Sequence, residues 1–284
     1  MICYVILHYQ AIDETKKCIK SIKRCNKDSM IIVVDNASPN NSGCKLKEEF
    51  DGDNNVRIIL SKKNSGFAKG NNLGYNVAKK MNPDYIVVLN SDVEVLQDDF
   101  EELLDAAYSK YHFDILGPDI YSTRLNYHQN PQRERNFSIE ELRKSERILC
   151  LKNKFHFLLK IKYLFGSCKK IEQIENANYK DIQIGKVLHG SFYVFSSKYI
   201  KKHDECFFSK TFMYYESYIL HYLGMRENLM FLYYPKIKVN HHEDASTNAT
   251  YDNQYKKSVF VNRCLLESCR EFIKIMKDNS LRLG

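Results

Sequence analysis

The chain has 284 residues, 44% of them hydrophobic and 27% charged, with a formal net charge of +8. This length can bury a full hydrophobic core, and the composition is ordinary for a soluble globular protein. Nine cysteines are scattered without a CxxC pair, which argues against a disulfide framework or a zinc site and favours free thiols in a reducing cytosol. No stretch approaches the roughly 20 apolar residues that a membrane span needs.

The apolar run over residues 2–8 has no basic leader, so it is predicted to be a first strand and not a signal peptide. We therefore expect a cytoplasmic protein. The moderate positive charge would suit an anionic lipid, a phosphorylated substrate or nucleic acid, and its location matters more than its sum.

Apolar runs alternate with helical patterns over the first 120 residues. Strands are predicted at 2–8, 30–34, 56–60, 85–89 and 114–116. Helices are predicted at 13–25, 45–50, 70–81 and 98–111. This alternation predicts an α/β fold with a mostly parallel central sheet and crossover helices.

Residues 122–185 interrupt the alternation, and the strand pattern resumes at 187–195. The later predicted elements are a β segment at 207–215, a helix at 216–224, strands at 229–234 and 236–240, and a helix at 253–276. We expect one domain over 1–250 with a variable insertion at 122–185, followed by a C-terminal helix within 251–284.

Three polar turns follow predicted strands. The first is Asp35-Asn36-Ala37-Ser38, the second runs over 64–72, and the third is Asn90-Ser91-Asp92. The carboxyl ends of parallel strands form the ligand crevice of an open α/β sheet. Their residue types suggest a site for a nucleotide diphosphate with a metal.

Asp92 and Glu94 are carboxylates of the kind that Mg²⁺ or Mn²⁺ prefers, with substrate phosphates completing the shell. The alternative is a solvated acidic turn. Asp35 could hydrogen-bond a base or ribose, and its alternative role is that of an Asx turn. Glycines at 66, 70 and 74 match neither standard phosphate-loop spacing.

Six segments in a fixed order carry a family resemblance. They are VVDNAS, NSGFAKGNN, LNSD, His189-Gly190-Ser191, FFSKTFMYYES and VNHHEDAST. In this order the chain resembles the family 2 glycosyltransferases, and most closely their rhamnosyltransferase-like branch, which elongates bacterial surface polysaccharides. The likeness covers about residues 2–120 and 187–247.

The resemblance implies a GT-A fold, with a nucleotide-binding half over 1–120 and an acceptor half over 187–250. It implies an inverting transferase that takes a sugar from a UDP- or dTDP-linked donor to a saccharide or lipid-linked acceptor, with no nucleic-acid partner. The donor-binding candidates are Asp35, Asn36, Asn64, Gly66, Asn71 and Asn90.

The Asn90-Ser91-Asp92 turn stands where the family has its DxD-like metal motif, so the resemblance implies that Asp92 holds Mn²⁺ or Mg²⁺. His241 matches a family histidine near the diphosphate and is the second candidate ligand, although a lone histidine also serves purely structural roles. Glu94 and His242 are weaker metal candidates.

One departure concerns the catalytic base. The family places an Asp where this chain has Ser217, and a serine hydroxyl does not accept a proton unaided at neutral pH. The acid next to it, Glu216, is our first candidate for the base. Glu205 is an alternative, and so is an inactive site.

Two other functions stay open. A degenerate transferase domain could bind a nucleotide sugar or act as a scaffold. A sugar-phosphate nucleotidylyltransferase would have a similar sheet, but it would carry a glycine-rich loop after the first strand, whereas this chain has no glycine before Gly43.

The segment 151–170 combines apolar and basic side chains, which suits peripheral contact with an anionic inner-membrane surface. An ordinary packed helix with a solvated basic face is the alternative. Its apolar residues are Phe155, Leu158, Leu159, Ile161, Leu164 and Phe165, and its basic residues are Lys152, Lys154, Lys160, Lys162, Lys169 and Lys170.

Overall fold

A computed structural model describes residues 1–157, 178–243 and 253–284. Its strands form one sheet with helices on both faces. The strands are β1 Ile2–His8, β2 Met30–Asp35, β3 Val56–Leu60, β4 Tyr85–Asn90, β5 Val93–Val95, β6 Ile115–Ser122, β7 Tyr127–His128, β8 Gln183–Ile184, β9 Phe192–Ser196 and β10 Phe231–His241. The helices are α1 Ile12–Cys25, α2 Ser42–Glu49, α3 Gly66–Lys79, α4 Phe100–Tyr111, α5 Ile139–Lys154, α6 Ser197–Ile200, α7 Glu216–Arg226 and α8 Gln254–Lys277.

The main strand order is β3-β2-β1-β4-β9-β6-β10-β5, with β7 paired to β6 and β8 paired to β10. Strands β3, β2, β1 and β4 run parallel, as the alternating sequence pattern predicts. Strand β9 is antiparallel to both neighbours, β4 and β6, while β6 and β10 are again parallel. The antiparallel β9 therefore joins two parallel halves into one continuous sheet.

Side chains of each strand alternate between two hydrophobic cores. In β1, Cys3 and Val5 face the core that contains α3, α5, α7 and α8. Tyr4 and Ile6 face the core that contains α1, α2 and α4. Because both faces are covered, the central strands are apolar at nearly every position, which is why they read as continuous hydrophobic runs.

The predicted elements of the first half are confirmed, with shifted ends. Helix α3 begins at Gly66, four residues before the predicted start, and β6 extends to Ser122 where the prediction ended at 116. Residues 229–240 were predicted as two strands, but they form the single strand β10. Its register against β6 shifts between Tyr234 and Lys238, and Pro235 lies at this irregularity, where a missing N–H is tolerated.

The predicted β segment at 207–215 is wrong. Tyr214 and Tyr215 have φ angles of 73° and 66°, which a strand cannot contain, and no ladder pairs this segment. Its aromatic side chains fill the core from a loop, since Phe207 is fully buried and packs against Phe67 and Tyr193. Apolar content alone therefore misidentified a buried loop as a strand.

Helix α5 was absent from the predicted elements, although its signal stands in the sequence. Ser138 and Glu141 form a capping box in which the serine hydroxyl accepts from the Glu141 N–H at 3.2 Å and the glutamate accepts from the Ser138 N–H at 2.7 Å. Leu142 and Leu149 bury the inner face of α5 against the core beside α8.

The cysteines in the described part of the chain are free thiols, as predicted. No helix among the described residues is long and apolar enough to cross a membrane. Of the segment 151–170, residues 158–170 lie outside the described residues. In the part that is described, Leu151 and Phe155 are 58% and 41% exposed.

Helix α3 packs against the sheet at Gly74, where there is no space for a Cβ atom. A Cβ at Gly74 would lie 2.4 Å from Val5 Cγ1 and 3.0 Å from Val34 Cγ2. Overpacking of this kind costs about 1–3 kcal/mol, whereas a helical Gly→Ala change alone gains about 1 kcal/mol. We therefore expect Gly74→Ala to lower the free energy of unfolding by up to about 2 kcal/mol in urea titrations.

The matched control is Lys69→Ala, an exposed position on the same helix. We expect it to change stability by less than about 0.5 kcal/mol. A Gly74→Ala variant at least as stable as the parent would show that the helix can move away from the sheet.

Candidate active site

The three predicted turns meet at one edge of the sheet. Strand pairing places Leu7 beside Asn90 and His8 beside Asp35, so β1, β2 and β4 end at the same level. The main-chain N–H of Asn90 donates to the carbonyl of Ser191 at 2.9 Å, which ties the His189-Gly190-Ser191 turn to the same edge.

The first and second turns are joined through side-chain amides. The Asn36 Nδ2 donates to Asn64 Oδ1 at 3.0 Å, and the Asn36 Oδ1 accepts from the Ser65 N–H at 3.0 Å. The Gly66 N–H also donates to Asn64 Oδ1. These bonds hold a polar, amide-rich surface at the start of α3.

Gly66 lets another part of the chain approach this surface closely. It has φ of +84°, and a Cβ there would lie 2.3 Å from the carbonyl oxygen of Phe212. The neighbouring Phe67 N–H donates to that same carbonyl at 2.7 Å. The position therefore requires glycine both for its backbone angle and for contact with the 207–215 loop.

The third turn meets the end of β10. Asp92 Oδ1 lies 3.3 Å from His241 Nε2, and the two residues are 7% and 6% exposed. On its other side, His241 Nδ1 lies 2.8 Å from Gln129 Oε1. The Gln129 Nε2 donates in turn to the carboxylate of Glu243. A buried carboxylate and a buried imidazole thus lie side by side, with the hydrogen-bonded side chains of Gln129 and Glu243 behind the imidazole.

This pair has the chemistry of a site for a hard divalent cation. Ligand atoms about 2.1 Å from one octahedral ion lie about 3 Å apart, close to the observed separation. A carboxylate plus an imidazole leaves room for phosphate and water oxygens, which is how Mg²⁺ is usually bound. The described residues contain no group of three or more His, Cys, Asp or Glu side chains arranged around one point. Asp92 and His241 would supply two ligands, so phosphate or water oxygens would have to complete the coordination shell of the cation.

A cavity of about 610 Å³ opens beside the pair. Of the predicted donor and metal residues, its walls include Asn36, Asn64, Gly66, Asn90, Asp92 and His241. Residues that the sequence analysis gave no role also line it, namely Leu7, Tyr9, Phe67, Ser91, Arg124, Leu125, Gln129, His189, Phe212, Met213, Tyr214, Glu243 and Phe260. A volume of this size is typical of small-molecule sites.

Some of these residues had a sequence signal and others had none. His189 stands in a segment that carried the resemblance. Burial is the main cause that lowers its pKa to about 3, with a smaller contribution from His241, so it is neutral at physiological pH. Gln129 and Phe260 lie in stretches with no motif, and only the fold brings them to the cavity.

Asp35 and Asn71 do not line the cavity. The Asp35 carboxylate accepts hydrogen bonds from the Ser38 N–H and hydroxyl. It also lies against Gly43, where a Cβ would be 2.4 Å from Oδ2. Asn71 is 1% exposed and donates from Nδ2 to the Phe67 carbonyl at 3.0 Å. Both side chains lie behind the amide surface and support it.

Glu94 and His242 form a separate pair outside the cavity. Glu94 Oε2 lies 3.7 Å from His242 Nε2, and the other ring nitrogen of His242 lies 2.9 Å from the Thr123 hydroxyl. The side chains of Glu94 and His242 are 35% and 37% exposed. This pair does not join the Asp92 and His241 pair.

Glu216 is the first residue of α7 and does not line the cavity. Its side chain is buried, and the Thr211 hydroxyl donates to its Oε1 at 3.0 Å. Desolvation by burial raises the pKa of Glu216 to about 8. The next residue, Ser217, points elsewhere, because its hydroxyl would lie 2.8 Å from a Cβ on Gly190 in the turn beside the cavity.

Glu205 lies away from the cavity, in contact with Gly284. Its main-chain N–H donates to the Gly284 carbonyl at 3.3 Å. A Cβ on Gly284 would lie 3.0 Å from the Glu205 carboxylate.

Comparison with known proteins agrees with this architecture. The family model for glycosyl transferase family 2 matches residues 3–169, more than half of the chain. Glycosyltransferase GlyG from Streptococcus pneumoniae serotype 4 is 28% identical over 138 residues, which is 48% of this chain and 42% of GlyG. The matched region is thus less than half of that relative.

Solved structures of S. aureus TarS share the fold. TarS 1–349 superposes with a TM-score of 0.51 at 12% identity, covering 92% of this chain and 64% of TarS. Its complex with UDP gives 0.55 at 9% identity, with 93% and 69% covered, and its complex with UDP-GlcNAc gives 0.53 at 10% identity, with 92% and 66% covered.

These likenesses confirm the expected GT-A type of α/β fold. Together with the ordered polar turns at the sheet edge, the family match shows that the chain belongs to glycosyl transferase family 2.

Proposed function

We propose that this protein is an inverting glycosyltransferase that moves a sugar from a nucleotide-diphosphate donor to a saccharide or lipid-linked acceptor in surface-polysaccharide synthesis. The observation that carries the proposal is the buried Asp92 and His241 pair at the wall of the 610 Å³ cavity. Family membership supports the reaction class. The UDP and UDP-GlcNAc complexes of TarS support a uridine nucleotide as donor.

The donor would bind along the amide surface. Asn64 and Asn90 offer amide groups to the nucleoside and the sugar. Asn36 holds Asn64 in place, because its NH₂ group donates to Asn64 Oδ1 and to the Gly66 carbonyl, and Asp35 supports the turn behind them. Asp92 and His241 would hold Mn²⁺ or Mg²⁺ against the diphosphate. Such an ion, when bound, offsets the charge that develops on the leaving diphosphate.

The acceptor would bind on the aromatic wall of the cavity. Phe212 and Phe260 contact each other edge-on, with ring centroids 6.3 Å apart, and Met213 and Tyr214 extend this surface. Aromatic side chains offer large apolar faces to a ligand, and sugar rings present C–H faces that suit them. A hydroxyl of the acceptor would attack the anomeric carbon as the bond to the diphosphate breaks, which inverts that centre.

A base must take the proton of the attacking hydroxyl. Glu216 is our candidate, because it is the acid next to the position of the family Asp. In its buried position a pKa of about 8 keeps it protonated at neutral pH, so it would have to ionise on leaving that position before it could accept a proton. Its side chain must turn toward the cavity to act, since it does not line the wall in this structure.

A second candidate function is a degenerate transferase domain that binds the donor without turnover. Ser217 in place of the family Asp and the buried position of Glu216 favour it. No observation favours the nucleotidylyltransferase alternative. Incubation with UDP-, dTDP- and GDP-sugars, with and without Mn²⁺, separates the two functions: release of nucleoside diphosphate supports the enzyme, and binding without release supports the degenerate domain.

We expect Asp92→Ala to weaken binding of UDP in the presence of Mn²⁺ by at least about 10-fold, because it removes the carboxylate of a two-residue site. Isothermal titration calorimetry measures this. The matched control is Glu94→Ala, which removes a nearby carboxylate outside the cavity and should leave the affinity unchanged. Equal affinities in the two variants would refute the metal assignment.

Glu216→Gln keeps the size of the side chain and removes its basicity. Turnover should fall about 100-fold or more, while donor affinity is unchanged. Ser217→Asp is the complementary variant, since position 217 faces the turn beside the cavity. Full activity of Glu216→Gln would move the role elsewhere, and increased activity of Ser217→Asp would show that the usual family position is still competent.

The raised pKa of Glu216 also predicts a pH dependence of stability. The folded state keeps this proton up to about pH 8, whereas the unfolded chain loses it near its ordinary pKa of 4.5. The contribution of Glu216 to stability is therefore present below pH 4.5 and is lost progressively as pH rises to about 8, by on the order of 1 kcal/mol per pH unit.

Urea unfolding of the parent and Glu216→Gln at pH 5, 6.5 and 8 isolates this contribution. The variant should gain stability relative to the parent as pH rises, because its amide does not ionise. A constant difference between the two proteins across this range would mean that the Glu216 pKa is not raised.

A further inference from the structure

A chain of hydrogen bonds runs behind His241. Gln129 is 6% exposed and is held next to β6 by its N–H, which donates to the Ile120 carbonyl at 2.8 Å. Its side-chain amide lies between His241 Nδ1 at 2.8 Å and the Glu243 carboxylate. The Gln129 Nε2 also lies 3.3 Å from the Tyr127 hydroxyl, which can donate or accept and therefore does not fix the direction of the amide. Among the described residues, Gln129 thus links Glu243 to the imidazole.

The direction of these bonds follows from the chemistry of Glu243. An ionised carboxylate only accepts hydrogen bonds, so the NH₂ group of Gln129 must face Glu243. The carbonyl oxygen of Gln129 then faces His241 and only accepts. With a cation bound to Asp92, the proton of the neutral imidazole would therefore reside on Nδ1, and the lone pair of Nε2, which lies 3.3 Å from Asp92, would face the cation. Without a cation, the Asp92 carboxylate competes, because it would accept a hydrogen bond from a protonated Nε2.

We propose that Gln129 and Glu243 are positioning residues that set the tautomer and orientation of His241 for binding a divalent cation through Nε2. This inference rests on the proposed metal-dependent function. A histidine ligand that donates its second ring N–H to an oriented acceptor is fixed in the ligating tautomer, and loss of such a partner typically costs 10–100-fold in metal affinity.

The first test reads the tautomer directly, without metal or substrate. All proteins in it carry Asp92→Ala, which removes the carboxylate that would accept a hydrogen bond from a protonated Nε2, and Asp92→Ala alone is the reference. Nitrogen-15 NMR of the imidazole rings, at a pH where His241 is neutral, distinguishes a proton on Nδ1 from one on Nε2, and His241→Gln assigns the signal. We expect the Nδ1–H form in the Asp92→Ala reference. Glu243→Ala should shift His241 to a mixture of both forms, because the Gln129 amide can then turn over.

A double variant separates positioning from mere packing. In Gln129→Glu combined with Glu243→Gln, the carboxylate next to His241 still only accepts, and the amide at 243 can donate to it. The swap should therefore keep the Nδ1–H form, whereas Gln129→Leu, which removes the acceptor, should lose it. A tautomer that is the same in the Asp92→Ala reference and in its combinations with Glu243→Ala and Gln129→Leu would overturn the proposal.

The second test measures Mn²⁺ binding in the presence of UDP by electron paramagnetic resonance. Glu243→Ala and Gln129→Leu should weaken Mn²⁺ binding 10–100-fold, and the swapped double variant should stay within a few-fold of the parent. Glu94→Ala is the control for a carboxylate outside the chain of bonds.

The two tests distinguish the failures. A parent protein that binds no Mn²⁺ with UDP would refute the metal-dependent function and the ligand role of His241 with it. A parent that binds Mn²⁺, with Glu243→Ala shifting the tautomer but not the affinity, would refute only the positioning role proposed here.

Discussion

The short strand β5 follows Asp92 directly and pairs antiparallel with the end of β10, with Val93 opposite His241. The main-chain N–H of His242 donates to the carbonyl of Asp92 at 2.9 Å. These backbone bonds set the distance between a carboxylate and an imidazole that are far apart in the sequence. Backbone pairing holds two groups more firmly than flexible side chains could. The remaining cavity walls are arranged around this junction.

A second contact couples the two sides of the cavity. The Phe212 carbonyl accepts a hydrogen bond from the N–H of Phe67 at the start of α3. It lies against Gly66, where a side chain would clash with it. The same loop carries Tyr214 and Tyr215, both in the left-handed region. Strained backbone of this kind is retained where the surrounding structure holds it, and it is common at functional sites. The amide wall and the aromatic wall therefore keep a fixed relation to each other.

The double turn at Tyr214 and Tyr215 also decides where the next two side chains go. Adjacent residues at the start of a helix point about 100° apart. Glu216 consequently turns into the interior toward Thr211, while Ser217 contacts Gly190 beside the cavity. In this chain the acid is Glu216, whereas the residue that faces the turn beside the cavity is Ser217. The residue that we propose as acceptor of the proton of the attacking hydroxyl therefore differs from the usual family position.

The sequence by itself determined the parallel half of the fold and most of the polar site. Continuous apolar runs such as residues 30–34, alternating with helical patterns, are typical of buried strands in a covered sheet, and this one forms β2. Asn90 ends the strand β4 and Asp92 follows it, so the order of residues in the sequence was enough to predict their place at its carboxyl end. The helices and strands of the 122–185 region were not predicted, although the capping residues of α5 are present in the sequence.

Only the tertiary structure decided which distant side chains meet. Gln129 and Phe260 carry no local pattern, because their roles depend on long-range pairing and packing and not on periodicity. Glu243 stands in the VNHHEDAST segment, but only the fold shows that it lines the cavity. The tertiary structure also decided that the aromatic residues at 207–215 are buried in a loop and not in a strand. Burial raises the pKa of Glu216, because desolvation is a property of the folded surroundings and not of the residue.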